Sequence, residues 1–80
     1  MAKIEFYDSR NRYFCGKVKD NGTIEVFDPS NEFWHGKVKD GGRIELYDPN
    51  GEWLHGKVKQ DGKIELYGSS GEYFYGKIQG

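Results

Sequence analysis

Apolar and polar residues alternate along most of the chain, and the alternation restarts about every ten residues at a cluster of turn-forming residues. Between Ile44 and Lys63 the chain reads IELYDPNGEWLHGKVKQDGK. Ile44, Leu46, Leu54, Gly56 and Val58 fall on one face of this stretch, and Glu45, Tyr47, Trp53, His55 and Lys57 on the other. A period of two is the pleat of a half-buried β-strand. The stretch recurs with edits as four units, 4–23, 24–43, 44–63 and 64–80, in one domain. Its uncharged face is Ile4, Phe6, Phe14, Gly16 and Val18 in the first unit and Ile24, Val26, Trp34, Gly36 and Val38 in the second. The last unit supplies Ile64, Leu66, Phe74, Gly76 and Ile78. That face is the predicted core.

Each unit carries two reversals. Asp48-Pro49-Asn50-Gly51 and Gln60-Asp61-Gly62 both end on a residue suited to positive φ, as a three-residue hairpin loop with a bulge requires. Asn11, Gly22, Asn31, Gly42, Gly51, Gly62 and Gly71 occupy this slot along the chain. Helix is not expected, because no stripe with a period of 3.6 survives the glycines.

Loops of this kind fix register. Tyr47 should face Trp53 and Leu46 face Leu54 in one hairpin, while Val58 faces Ile64 and Lys57 faces Glu65 in the next. Lys17 with Glu25 and Lys37 with Glu45 follow the same rule. Glu5 and Lys77 are left over, and they match if the last strand closes onto the first, with Ile78 facing Ile4. The fold class expected is all-β: an eight-stranded antiparallel meander, closed into a small pseudo-fourfold barrel with a shear of about eight and a tilt of about 36°. The four core glycines would lie in one ring, giving room where large neighbours crowd the axis.

The chain of 80 residues is near the lower limit for a single apolar core, so all four units must share it. Its side-chain charges nearly cancel, with Lys and Glu interleaved, which argues against nucleic acid as a partner. No apolar run is long enough for a membrane helix, and Met1-Ala2-Lys3-Ile4 lacks the apolar core of a signal peptide. With Cys15 as the only cysteine, a cytoplasmic protein without membrane partners is expected.

Ile44, Tyr47, Asp48, Gly51 and Gly56, with their counterparts in the other units, resemble the hairpin repeat of the four-fold beta flower domain. That resemblance implies four hairpins around a pseudo-fourfold axis and carries no activity with it. Gly51-Glu52-Trp53, Gly56-Lys57 and Gly62 are more distantly similar to MORN repeats, which form open ribbons on proteins or lipid. Ser9-Arg10-Asn11-Arg12 departs from both patterns.

Cys15, His35, His55 and Tyr75 share one repeat position, and Cys/His/His is an acceptable ligand set for zinc or copper. The position belongs to the charged, outward face, which separates the side chains beyond the reach of one ion, so no metal or other cofactor is expected. Cys15 with a histidine lacks an orienting third residue and a loop for an oxyanion hole, so no enzyme is expected either. On this reading His35 and His55 are half-exposed strand residues beside Glu45 and Glu25.

The stronger signal is aromatic. Tyr13, Phe33, Trp53 and Tyr73 open the second strand of each hairpin, opposite Tyr7, Phe27, Tyr47 and Tyr67, all on the outward face. Cross-strand pairing alone would stabilise each hairpin by about 0.5–1.5 kcal/mol. Eight such rings near one rim, with His35 and His55 beside them, also make a binding surface. The leading expectation is a non-enzymatic interaction module for a protein partner or a second copy of itself. A small-ligand or carbohydrate binder and a designed repeat with no function beyond its fold are the alternatives.

Overall fold

A computed structural model describes all of residues 1–80. Eight strands follow one another as β1 (Ala2–Tyr7), β2 (Tyr13–Val18), β3 (Thr23–Phe27), β4 (Phe33–Lys39), β5 (Arg43–Tyr47), β6 (Trp53–Val58), β7 (Lys63–Gly68) and β8 (Tyr73–Gln79). Each pairs antiparallel with its neighbours in sequence, and β8 pairs with β1, so the sheet is a closed barrel. The seven expected slots all have positive φ, from 62° at Asn11 to 90° at Gly22. In the β4–β5 loop Gly41 joins Gly42 there, and Asp40–Gly42 forms a single 3-10 turn. No helix is long and apolar enough to cross a membrane.

Register matches the loop rule. Tyr47 stands opposite Trp53 and Leu46 opposite Leu54; Lys57 opposite Glu65 and Val58 opposite Ile64. At the closing seam Ile4 stands opposite Ile78 and Glu5 opposite Lys77. Following the eight pairings once around returns a residue eight positions along its own strand, so the shear is eight. Eight strands with that shear leave an interior that side chains can fill. Thirteen apolar residues fill it, from Ile4, Phe6, Ile24 and Val26 in the middle to Phe14, Trp34, Leu54 and Phe74 under the β1–β2-type loops. Val38, Val58 and Ile78, packed against this core from the other end, are only partly buried.

Two details depart from the expected picture for physical reasons. A Cβ on Gly16 would lie 1.9 Å from the carbonyl oxygen of Glu25 and 2.8 Å from the Cα of Val26, and Gly36, Gly56 and Gly76 meet the next strand in the same way. These glycines are therefore set by the close approach of neighbouring backbone, rather than by crowding of side chains at the axis. Three of the four glutamates likewise sit nearest a lysine other than the one directly opposite, Glu5 alone keeping its opposite Lys77 at 3.8 Å. Glu45 binds Lys39 at 2.9 Å and Glu65 binds Lys59 at 3.4 Å, while Glu25 reaches Lys19 at 3.1 Å and its opposite Lys17 only at 3.8 Å. The long lysine side chain spans the diagonal of the twisted sheet, where a neighbour two residues along remains within reach.

Candidate aromatic binding surface

The loops that end the first strand of each hairpin set where the aromatics stand. Asp8 Oδ1 accepts hydrogen bonds from the backbone N–H groups of Arg10 and Arg12, both at 2.9 Å. Asp28 and Asp48 repeat the arrangement with the amides of residues 30 and 32 and of residues 50 and 52. The fourth unit has Gly68 instead of aspartate. There Glu72 turns its carboxylate into the vacated space, its Oε1 2.3 Å from where a Gly68 Cβ would be, and accepts from the Ser70 amide at 3.0 Å. Burial works against ionisation of Asp8 and Asp28, but the backbone donors outweigh it, with Arg12 beside Asp8 and Trp34 Nε1 donating to Asp28 at 3.0 Å, so both stay below the usual carboxylate range.

With the loops fixed, the outward residues of three of the four hairpins come ring to ring. Tyr7 lies 5.3 Å from Tyr13, Phe27 5.6 Å from Phe33, and Tyr67 5.3 Å from Tyr73, measured between ring centres. The position shared by Cys15, His35, His55 and Tyr75 fills the gap between hairpins. His35 stacks between Phe33 at 6.0 Å and Tyr47 at 5.7 Å. His55 stacks on Trp53 at 4.7 Å and reaches Tyr67 at 6.2 Å, and Tyr75 bridges Tyr73 at 6.2 Å and Tyr7 at 5.8 Å. The four side chains thus serve four separate junctions and do not meet, and no group of three or more His, Cys, Asp or Glu converges as a metal site.

The outcome is a belt around the barrel. From Trp53 through His55, Tyr67, Tyr73, Tyr75 and Tyr7 to Tyr13, each ring neighbours the next. Phe27, Phe33, His35 and Tyr47 form a second arc. Tyr13, Phe27, Phe33, Trp53, Tyr67, Tyr73 and Tyr75 are each 37–46 % exposed, whereas Tyr7 and Tyr47 are half-buried beneath their neighbours. All ten residues expected at the rim are in the belt. Tyr75 was visible in the sequence only as a ligand candidate; its repeat position, shared with His35 and His55, is the signal that places it among the rings.

Polar groups orient several of these rings. Tyr13 donates to Glu5 at 2.8 Å, which pushes its phenol up to about 12, and Tyr75 donates to Asn11 across the seam at 2.8 Å. Burial and a 3.2 Å hydrogen bond to Glu65 raise Tyr73 as well. Beside these tyrosines a surface hollow of about 510 Å³ lies over Gly76 at the closing seam, walled by Tyr7, Tyr73 and Tyr75 and edged by Glu5, Lys63 and Lys77.

No protein family, curated protein or solved structure matches the chain.

Proposed function

We propose that this chain is a non-enzymatic interaction module whose outer aromatic belt is its contact surface, with a second copy of the chain as the partner it fits first. The observation that carries this reading is the exposure of seven large aromatics in one band. A monomer seldom leaves that much apolar surface in water, and Tyr, Trp and Phe are the residues enriched where proteins meet. The hydrogen bonds that hold Tyr13, Tyr73 and Tyr75 lower the entropy lost when a partner covers them. Membership of the flower-like hairpin family and a cytoplasmic setting, in keeping with the single free thiol Cys15, belong to the same proposal.

The test is solution mass against concentration in about 1 M salt, where ionic contacts are screened to about 3 Å and apolar ones persist. The wild type is expected to associate and the Phe33→Thr/Trp53→Thr variant to remain near 9.2 kDa. A wild type that stays monomeric throughout contradicts association through the belt.

The hollow over Gly76 supports a second reading as a saccharide site. Three tyrosine rings can stack on sugar faces while Glu5 and Lys77 meet hydroxyls. In a titration with neutral and uronic-acid oligosaccharides followed by amide NMR, this reading requires a saturable shift at Gly76 that Tyr75→Ala removes; no shift with either sugar ends it.

A further inference from the structure

Sorted along the barrel axis, the side-chain charges fall into three bands. At the end formed by the Asp8–Arg12-type loops, Asp8, Asp28, Glu32, Asp48, Glu52 and Glu72 stand against only Arg10 and Arg12. The middle holds one Glu and one Lys per unit and cancels. At the opposite end Lys3, Lys19, Lys39, Arg43, Lys59 and Lys63 stand against Asp20, Asp40 and Asp61. One end therefore carries four net negative charges and the other three net positive ones, which accounts for the whole-chain value of -1.

The acidic end is also unneutralised locally. Asp8 is paired with Arg12 at 2.7 Å, but Asp28, Glu32, Asp48, Glu52 and Glu72 have no basic nitrogen within 4.0 Å. Arg43 at the other end is equally free of a carboxylate, and it stands opposite Lys57 and Lys39. Lys63, opposite Lys77, reaches only Asp61 at 3.9 Å. The cationic surface that these carboxylates lack is the other end of the same molecule.

We propose that copies of this chain stack end to end, the acidic mouth of one barrel on the basic mouth of the next. This contact goes beyond the belt and does not depend on it. Because the two surfaces differ, the contact is heterologous and does not close, so it builds open-ended rows rather than a dimer. The pseudo-fourfold axis offers four nearly equivalent rotations for each contact. An end face about 21 Å across covers roughly 350 Å² per partner, well under the roughly 800 Å² of a stable interface, so the rows are weak and salt-sensitive.

The experiment uses two variants and their mixture. Glu32→Lys/Glu52→Lys neutralises the acidic end. Arg43→Glu/Lys63→Glu removes the positive excess at the basic end, and relieves the like-charge pairs with Lys57 and Lys77 while doing so. Circular dichroism melts of each confirm folding. Both are made in the Phe33→Thr/Trp53→Thr background, which removes association through the belt. By sedimentation in about 0.01 M salt, where screening extends over about 30 Å, that parent grows in mass with concentration and each charge variant alone does not. Mixed in equal amounts the variants form a 1:1 pair and stop there, since only one intact acidic end and one intact basic end remain. About 1 M salt disperses both the pair and the ionic rows. Charge variants that grow singly like their parent, a mixture that does not pair, or a parent mass indifferent to salt would each overturn the proposal. The belt variant Phe33→Thr/Trp53→Thr keeps its low-salt growth, which separates this contact from the aromatic one.

Discussion

Two glycines, one inside β2 and one in the β5–β6 loop, have opposite jobs. Gly16 has ordinary strand φ and no room, whereas Gly51 has φ of 82° and no atom within 4 Å of a Cβ. Gly16→Ala must push the backbone of β3 away and is expected to cost about 3 kcal/mol or more by urea denaturation. Gly51→Asn should cost less than about 1 kcal/mol, since Asn11 and Asn31 already occupy this conformation. Glu72 makes a comparable contrast. Glu72→Ala leaves the Ser70 amide without its acceptor and should cost about 1 kcal/mol. Glu32→Ala should cost almost nothing, because Asp28 already caps that loop. The role of Glu72 could not be read in the sequence, where Gly68 shows only as a missing aspartate; the compensation needs the side chain's path through space. Protonation carries a signed prediction too. Asp8 and Asp28 are held below 3.8 in the fold, so their stabilisation is complete above the unfolded value and is lost as pH falls below 3.8 through their folded values. Urea midpoints from pH 5 to pH 2 should fall in that window, less steeply in Asp28→Asn.

At the scale of the hairpin, strand faces and register were legible because a three-residue loop with one left-handed position admits a single pairing, and a slip would put every core residue in water. Leu54, 4 % exposed beneath the Asp48 loop, tests the face assignment: Leu54→Ala should cost about 2–5 kcal/mol. Which lysine each glutamate binds was not legible, since sheet twist and side-chain reach decide it. Nor were the two arcs of the aromatic belt, because a strand-by-strand reading pairs rings within hairpins and leaves out the junction position where His35, His55 and Tyr75 sit. Hairpin pairs and junction stacks together make a surface that no single hairpin displays.

At the scale of the whole molecule, closure turns four similar hairpins into one core without sheet edges. It also directs every belt residue outward and segregates the charges to two ends. The sequence announced closure through two unpartnered residues, Glu5 and Lys77, which lie 3.8 Å apart at the seam. Glu5→Lys should therefore destabilise the protein about as much as Glu45→Lys, by about 1 kcal/mol in thermal melts. The charge bands were equally present in the sequence, but only the barrel's two ends give the alternating loops opposite addresses.

Belt, hollow and polarised ends all depend on the β8–β1 seam. Amide hydrogen exchange at dilutions where the mass is 9.2 kDa tests it directly. The amides of β1 that face β8 should exchange as slowly as those joining β4 to β5. If they exchange at the rate of an open strand edge while the other pairings stay protected, β8 does not pair with β1 and the barrel is open.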